Sequence, residues 1–288
     1  MNVLDVYRSV AERLKSSGIE ASETESALLL MHVLHKTRTE LFLANRSIVA
    51  PGELDEIDKL LARRLQFEPL AYILGEKEFW SLPFKVTPDV LIPRPETEEL
   101  LEKILQTIKN DHAPFKGPIL ELGVGSGVIS IILALELPQS VVYGIDKSLA
   151  ALKVAAYNAK LHNVAARIGF MCADWLNAIV AEKTYQLVVA NPPYIASTAL
   201  SGLQKELEFE PLAALDGGAS GLVEMQCFLP EISRILLPGG WLFMEIGFDQ
   251  KEFLLDYFSK LPEFHDVEVH MDYAGLPRIF QARLQENK

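Results

Sequence analysis

Apolar and polar positions change their spacing along this chain, and the first 74 residues have the spacing of helices. Ser22 followed by Glu25 has the pattern of a capping box that opens a helix over residues 27–34. Pro51 and Gly52 then precede a run of leucine and isoleucine at helical intervals. The run is Leu54, Ile57, Leu60, Leu61 and Leu65. Residues 1–74 are therefore predicted to form a small all-α helical bundle.

Residues 75–95 have a different character, in which aromatic side chains are interspersed with prolines. The residues that set the pattern are Phe79, Trp80, Phe84, Pro83, Pro88 and Pro93. Such a segment predicts an irregular hairpin or an ordered linker rather than a helix. Pro95, Glu96 and Glu98 then favour a helix start, because proline fits the first turn and acids stabilise the positive end of the helix dipole.

From residue 96 to residue 288, short apolar runs alternate with helical patterns. Seven strands are predicted, at Pro118–Leu122, Val141–Ile145, Arg167–Cys172, Tyr185–Ala190, Trp241–Ile246, Val267–His270 and Arg278–Arg283. Helices are predicted at Val128–Leu137, Ser148–His162 and Leu222–Leu236. This alternation predicts an α/β domain with a Rossmann-like, mostly parallel seven-stranded sheet covered by helices. The predicted boundaries are therefore 1–74 for the helical domain, 75–95 for the hairpin linker and 96–288 for the α/β domain.

Composition and charge narrow the possible functions. The 288 residues favour two domains, and 49% hydrophobic with 23% charged residues is ordinary for a soluble globular protein. The formal net charge of −12, without a basic patch in the sequence, weighs against a nucleic-acid partner but does not exclude one. The apolar runs are shorter than the ~20 residues of a membrane span, and residues 1–15 lack the apolar core of a signal peptide. We expect a cytoplasmic protein without a membrane partner.

Two cysteines, Cys172 and Cys227, are too few for a disulfide framework or a zinc site. Both are expected to be small buried hydrophobic residues. No metal is expected.

A glycine-rich segment, Glu121-Leu122-Gly123-Val124-Gly125-Ser126-Gly127, joins the first strand of the sheet to its helix. Glycines there permit a tight turn and a close approach of a ligand to the backbone, although a purely structural turn is the alternative. Val128 stands where an NAD fingerprint needs glycine or alanine, and the Gly-Lys-Ser/Thr of a phosphate-binding loop is missing. The Gly-x-Gly-x-Gly spacing after an acid resembles class I S-adenosylmethionine-dependent methyltransferases.

Two further strand ends carry candidate cofactor contacts. Asp146 lies roughly 20 residues past the glycine segment, where an acid meets the hydroxyl pair of a ribose; an N-cap for the helix after Ser148 is the alternative. By position, Asp174 is expected to accept a hydrogen bond from an adenine amino group. Trp175 is expected either to pack against that ring or to be a core aromatic.

Asn191-Pro192-Pro193-Tyr194 follows the apolar strand Tyr185–Ala190. Two prolines cannot continue a central strand, because neither donates a ladder hydrogen bond, so the strand must end in a stiff loop. Asparagine, proline-fixed carbonyls and an aromatic ring suit a planar NH2 substrate: two acceptors take its two hydrogens and the ring stacks on its face. A turn with a buried tyrosine is the alternative.

Together these residues resemble the HemK/PrmC-type glutamine N5-methyltransferases of peptide-chain release factors. The matching segments are Pro93-Arg94-Pro95-Glu96-Thr97-Glu98, Glu121–Gly127, Asn191–Ile195, Glu210–Leu215, Gly217–Gly221 and Glu245-Ile246-Gly247. The resemblance covers almost the whole chain. Two positions depart from the commonest form of the glycine segment, with Glu121 for Asp and Val124 for Thr. Both changes are tolerable because the backbone performs most of the contacts there.

The resemblance implies S-adenosylmethionine as cofactor, with S-adenosylhomocysteine as product. It implies transfer of a methyl group to N5 of the glutamine in the Gly-Gly-Gln motif of class I release factors. Cofactor contacts would come from the glycine segment, Asp146, Trp175 and Asn191, and the substrate glutamine would lie on Asn191–Tyr194. It also implies a role for residues 1–74 in docking the release factor. We further expect a monomer without stably bound nucleic acid.

The residues suggest a mechanism that needs no metal and no dedicated base. Asn191 Oδ1 and the Pro192 carbonyl would accept the two amide hydrogens, and Tyr194 would stack on the amide plane. Two other functions stay open at this point. An exocyclic-amine methyltransferase of a nucleic-acid base shares the Asn-Pro-Pro-Tyr logic, and a non-catalytic S-adenosylmethionine-binding protein shares the fold.

Glu210-Pro211 and the glycine-rich segment after Asp216 follow the substrate loop in sequence. We expect them either to form a flexible wall over the site or to be an ordinary surface loop.

Overall fold

The computed structural model describes residues 1–111, 115–180 and 182–286. Its chain separates into two units. The first comprises residues 1–76 together with the short segment 205–209, and the second comprises the other described residues.

The first unit is helical, as predicted. Its helices are α1 (Val3–Ser16), α2 (Ser22–Leu34), α3 (Arg38–Leu43), α4 (Pro51–Arg64) and α5 (Leu70–Leu74). Leu14, Leu29, Leu30 and Leu61 are fully buried between them, which is why the helical spacing of apolar residues produces a bundle.

The capping box predicted at Ser22 is wrong. Helix α2 begins at Ser22 itself, five residues earlier than predicted, and its cap residue Ala21 has no side-chain oxygen to bond a free N–H. Ser22 is buried in the first turn instead. A capping box does form at α3, where Thr37 and Glu40 bond each other's backbone N–H groups.

Segment 205–209 joins the helical unit through ionic contacts. Arg64, whose side chain is 6% exposed, donates hydrogen bonds of 2.7 and 3.2 Å to Glu25 and one of 3.1 Å to Glu206. The Lys205 ammonium lies 4.4 Å from the centre of the Phe67 ring. A stretch far along the chain is therefore built into the N-terminal unit.

The hairpin predicted within residues 75–95 is confirmed, with strands β1 (Glu76–Phe79) and β2 (Leu82–Lys85). Trp80 and Ser81 between them both have positive φ, at 55° and 58°, which matches the twist that two-residue hairpins need. Phe79 and Phe84 are buried. Glu98 accepts a 2.6 Å hydrogen bond from the Trp80 backbone N–H, so it fixes the hairpin turn.

The second unit contains the predicted seven-stranded sheet. Its strands are β3 (Ile119–Leu122), β4 (Val142–Asp146), β5 (Ile168–Cys172), β6 (Tyr185–Ala190), β7 (Leu236–Glu245), β8 (Phe264–Met271) and β9 (Pro277–Leu284). Their order is β5-β4-β3-β6-β7-β9-β8. The five strands from β5 to β7 pair in parallel, and β9 and β8 close the sheet antiparallel. The mostly parallel Rossmann-like fold is thereby confirmed.

The helices of this unit cover both faces of the sheet. They are α6 (Pro95–Asn110), α7 (Val128–Glu136), α8 (Leu149–Leu161), α9 (Val223–Phe228), α10 (Ile232–Ile235) and α11 (Lys251–Ser259). Alternate residues of β6 point to opposite layers: Leu187 and Val189 pack with α6 and α7, and Val188 and Ala190 pack with α9, α10 and α11. Both layers are apolar, as a fully covered parallel sheet requires.

Two predicted elements differ in detail. The helix predicted at Leu222–Leu236 is divided by a 3₁₀ turn at Leu229–Glu231, because Pro230 lacks the N–H of a regular helix interior. Strand β7 begins at Leu236 rather than Trp241 and takes in the Pro238-Gly239-Gly240 turn as an irregularity of its pairing with β6.

The expectation that both cysteines are buried is wrong, because Cys172 and Cys227 are exposed. Cys172 lies at the end of the edge strand β5, and Cys227 lies on α9. Within the described ranges no helix has the length and apolar character needed to cross a membrane.

Candidate active site

A cavity opens at the carboxyl ends of the parallel strands, where β3 lies between β4 and β6 and the strand order reverses. Ligands of open α/β sheets bind at this place. The cavity wall includes ten of the residues predicted from sequence, Glu121, Gly123, Val124, Gly125, Ser126, Asp146, Asp174, Trp175, Asn191 and Pro193. Of the other predicted residues, Gly127, Pro192 and Tyr194 lie next to these in the chain but do not line the cavity.

The glycine segment has backbone geometry that other residues would disturb. Gly125 has φ of 54°, and a Cβ built there would have no atom within 4 Å, so the loop faces open space. Gly127 has φ of 86°, and a Cβ there would approach Ala155 of α8 to 3.0 Å. Gly125 therefore exposes its backbone to the cavity, and Gly127 lets α7 and α8 approach each other.

Asp146 holds this loop while facing the cavity. Its two carboxylate oxygens accept 2.8 Å hydrogen bonds from the backbone N–H groups of Gly125 and Ser148. The N-cap of α8 is Ser148, whose hydroxyl accepts from Ala151 N–H, so the alternative role of Asp146 as that cap is wrong. Each oxygen of a carboxylate accepts more than one hydrogen bond, and acceptor capacity remains for hydroxyl groups in the cavity.

Glu121 supplies a second acid to the cavity wall, at the end of β3. It is 1% exposed and accepts hydrogen bonds from the backbone N–H and the hydroxyl of Ser130 in α7. Burial raises the pKa of Glu121 to about 8, against the lowering effect of those two hydrogen bonds.

The stability of the protein without cofactor is therefore expected to fall as pH rises from about 4.5 to 8. Over this window native Glu121 retains a proton that the unfolded chain has released, so deprotonation favours unfolding. The loss from this group is about 4 kcal/mol by pH 8. Urea unfolding at several pH values measures it.

Glu121→Gln is the matched variant, since it keeps the side-chain shape without the titration. It should lose less stability than the wild type over the same window. A smaller pH dependence should remain, because burial also raises the pKa of Glu245. Identical pH profiles for the variant and the wild type would contradict the assignment to Glu121.

Trp175 lies on the cavity wall in a strained backbone conformation. Its φ of 46° is in the left-handed region, which is uncommon for a residue with a bulky side chain. The indole Nε1–H donates a 2.8 Å hydrogen bond to Glu224, and the ring centre lies 4.9 Å from that of Phe228. Trp175 thus both lines the cavity and packs on the core. Its packing against an adenine ring stays a prediction.

Two hydrogen bonds fix the orientation of the Asn191 side-chain amide. Its Nδ2 donates hydrogen bonds of 2.9 Å to Glu245 Oε2 and 3.3 Å to Thr97 Oγ1. A carboxylate only accepts, so this contact fixes which end of the amide is nitrogen. In the part of the chain that the structure describes, neither Asn191 Oδ1 nor the Pro192 carbonyl accepts a hydrogen bond. Asn191 lines the cavity, whereas Pro192 is buried and does not line it.

Tyr194 is hydrogen-bonded to the carboxylate of Glu245, which also binds Asn191. Its hydroxyl donates a 3.3 Å hydrogen bond to Glu245 Oε1, and the Arg278 guanidinium lies 5.9 Å from the ring centre. Burial and the nearby charge of Glu245 raise the pKa of Tyr194 well above its usual range, so it stays a neutral donor.

Of the segments expected to form a wall over the site, Glu210–Ala214 lines the cavity through Pro211, Ala213 and Ala214, whereas the glycine-rich segment after Asp216 does not. The flexibility of this wall stays a prediction. The Glu210 side chain is 1% exposed. It accepts a 3.0 Å hydrogen bond from Ile92 N–H and pairs with Arg94 of the opposite wall. A partly buried ion pair therefore joins this segment to the Pro93–Glu98 joint.

Sequence reasoning did not single out Asn158, which supports the glycine segment from α8. Its side chain is fully buried, donates to the Ser126 and Lys85 carbonyls and accepts from Lys85 N–H. An asparagine on the apolar face of a predicted helix was the available signal, because a buried amide needs partners.

These residues fit S-adenosylmethionine. A loop of glycine backbone borders open space, the Asp146 carboxylate faces the cavity at the end of β4, and the side chain of Glu121 lines the cavity at the end of β3. Fold and site together define a class I S-adenosylmethionine-dependent methyltransferase. The sequence matches the PrmC N-terminal domain over residues 5–75 and the Methyltransferase small domain over residues 97–208. The chain belongs to the release factor glutamine methyltransferase family.

Two relatives show the extent of the match. The release factor glutamine methyltransferase of Coxiella burnetii is 37% identical over 283 residues, which cover 98% of this chain and 99% of that protein. The protein of the same name from Aliivibrio fischeri is 38% identical over 269 residues, covering 93% and 92%. The resemblance inferred from the motifs is confirmed.

A solved structure supports the fold independently. The hMettl16 catalytic domain in complex with the MAT2A 3′UTR hairpin 6 superposes with a TM-score of 0.55, covering 80% of this chain and 82% of that one. At 13% sequence identity this likeness shows the fold alone.

Proposed function

We propose that this enzyme transfers a methyl group from S-adenosylmethionine to N5 of the glutamine in the Gly-Gly-Gln motif of class I release factors. The observation that carries the proposal is the fixed amide of Asn191, whose Oδ1 is left free beside the free Pro192 carbonyl. Two acceptors at one strand end match the two hydrogens of a primary amide.

The chain's own residues orient the amide rather than react with it. When bound, S-adenosylmethionine supplies an electrophilic methyl group on its sulfonium. An amide nitrogen is a poor nucleophile, since its lone pair is delocalised into the carbonyl. Hydrogen bonds from its two protons to Asn191 Oδ1 and the Pro192 carbonyl would fix its direction and stabilise positive charge as it develops. The nitrogen becomes strongly acidic on methylation, so no dedicated base is needed.

The remaining predicted residues would contact the cofactor and the substrate. Asp146 would accept from the ribose hydroxyls, and Asp174 from the adenine amino group. Trp175 would pack against the adenine, and the Gly123–Gly127 backbone would lie along the cofactor. Tyr194 would stack on the substrate amide with its hydroxyl anchored on Glu245.

The helical unit would recognise the body of the release factor. Three large apolar side chains within seven residues of its chain face solvent: Phe42, Leu43 and Ile48 are 77%, 76% and 76% exposed. Exposed apolar side chains gathered in one stretch are typical of a protein-binding surface.

In the described residues, no group of His, Cys, Asp or Glu side chains could hold a metal ion.

Transfer of labelled methyl groups would test the function. Full-length release factor, its isolated Gly-Gly-Gln peptide and nucleic acid are offered in parallel as substrates. We expect label on the glutamine of the release factor, slower labelling of the peptide and none on nucleic acid. Labelling of nucleic acid alone, as for an exocyclic-amine methyltransferase, or of no substrate would overturn the proposal.

The same assay separates the role of the helical unit. The double variant Phe42→Asp with Leu43→Asp should lower kcat/KM for the full-length release factor at least about tenfold, because a charge opposes burial of this surface. It should leave the peptide reaction unchanged. Leu161→Asp, a comparable change at an exposed position on α8, is the control. Equal losses on both substrates would show that the surface does not dock the partner.

A further inference from the structure

One buried carboxylate connects the parts of the substrate loop. Glu245 is the last residue of β7 and is 1% exposed. It accepts hydrogen bonds from Thr97 Oγ1 at 2.6 Å, Asn191 Nδ2 at 2.9 Å and Tyr194 OH at 3.3 Å. The three donors come from the first turn of α6 and from both ends of the Asn-Pro-Pro-Tyr loop.

The sheet register explains how this contact arises. Strands β6 and β7 pair in parallel with Ala190 opposite Met244, so the next residues, Asn191 and Glu245, leave the sheet side by side. Glu245 ends its strand inside the protein, where a carboxylate is stable only if its oxygens accept hydrogen bonds. Here both oxygens do so.

The contact decides which end of the Asn191 amide reaches the cavity. An asparagine amide has a donor end and an acceptor end of nearly equal shape, and its surroundings select between them. With Nδ2 bonded to Glu245, Oδ1 faces away from the carboxylate. The reverse orientation would place two acceptor oxygens together. It would also offer an NH2 group to a substrate NH2 group, which cannot accept it.

We propose that Glu245 is a positioning residue for methyl transfer, which acts by holding Asn191 with Oδ1 directed to the substrate amide. This inference rests on the proposed function, because it needs Asn191 to be the acceptor for that amide. Thr97 reinforces the same orientation, since its hydroxyl donates to Glu245 and accepts from Asn191 Nδ2. Tyr194 is fixed by the other carboxylate oxygen.

Conservative and truncating variants should differ. Glu245→Gln keeps the volume and one acceptor oxygen, which can still bond Asn191 Nδ2, so kcat should stay within about tenfold of wild type. Glu245→Ala removes both acceptors, so Asn191 turns freely and kcat should fall about 100-fold. Cofactor Kd should change by less than about threefold in either variant, since Glu245 does not line the cavity. Gln281→Ala, which removes another buried polar side chain of the sheet, should retain kcat.

A double-mutant cycle with Asn191→Ala distinguishes positioning from a general structural role. Single-turnover methylation of the release factor is measured in the wild type, both single variants and the double variant. If Glu245 acts through Asn191, Glu245→Ala should slow the Asn191→Ala enzyme by less than about threefold, against about 100-fold in the wild-type background. Equal losses in both backgrounds would overturn the inference. Wild-type turnover in Asn191→Ala would instead overturn the proposed role of Asn191.

A second measurement needs neither activity nor a truncating variant. The Asn191 side-chain NH2 signals can be assigned in the ¹⁵N NMR spectrum of the full chain by their absence in Asn191→Ala. In the wild type they should exchange slowly with solvent, as a carboxylate-bonded amide does. They should shift in Glu245→Gln. Unchanged signals in that variant would show that Glu245 does not hold the amide.

Discussion

Asn191→Ala is expected to lower turnover about 1,000-fold while leaving the Kd for S-adenosylmethionine within about threefold of wild type. In the proposed function the variant removes an acceptor for the substrate amide where charge develops, so its effect would belong to the transition state rather than to cofactor binding. The remaining acceptor, the Pro192 carbonyl, cannot fix the direction of the amide alone. Glu245 and Thr97 already hold the Asn191 amide, so this side chain loses no conformational entropy during the reaction.

Steady-state methylation of the release factor and calorimetric titration with cofactor would measure the two quantities separately. Asn177→Ala, at an exposed asparagine that does not line the cavity, is a matched control with wild-type values expected for both. Equal loss of turnover and cofactor affinity in Asn191→Ala would place Asn191 in the cofactor site instead. Near wild-type turnover would remove it from the mechanism.

Asp146→Ala is expected to weaken cofactor binding about 100-fold. The variant removes two contacts together. The carboxylate accepts from Gly125 and Ser148 N–H, which holds the glycine segment, and in the proposed function it also accepts from the ribose hydroxyls at the end of β4. At saturating cofactor, turnover should recover to within about tenfold of wild type, because the substrate loop lies on a different strand.

Titration with S-adenosylhomocysteine, which binds without reacting, gives the affinity directly. Asp146→Asn should lose about tenfold, since an amide oxygen keeps one of the two acceptors. A loss of turnover without a loss of affinity in Asp146→Ala would contradict the assignment of this residue to the cofactor.

Local sequence patterns located most elements of the fold because their causes are local. Tyr185–Ala190 is a strand with the predicted bounds, since an apolar run precedes two prolines that cannot continue it. Helix α6 begins at Pro95 as predicted, because proline and acidic residues both favour a first turn. The motifs also identified the family, which the full-length relatives confirm.

The errors arose where a local signal competed with packing. Ser22 has capping-box neighbours, but α2 begins at Ser22 itself and buries it. Cys172 and Cys227 were expected inside because of their residue type, whereas an edge strand and a helix surface expose them. Exposure depends on which segments cover a residue, and local spacing carries no information about that.

The sequence alone determined that the strand Tyr185–Ala190 ends in a stiff loop at Asn191-Pro192-Pro193-Tyr194, because two prolines cannot continue a strand. That this loop accepts the hydrogens of a planar NH2 group stays a prediction. Only the tertiary structure decided how the Asn191 amide is turned. Its partners Glu245 and Thr97 lie 54 and 94 residues away in the chain. Parallel pairing of β6 with β7 brings Glu245 beside Asn191, and the first turn of α6 supplies Thr97. A hydrogen bond fixes an amide only when both partners are in place, and folding alone brings these together.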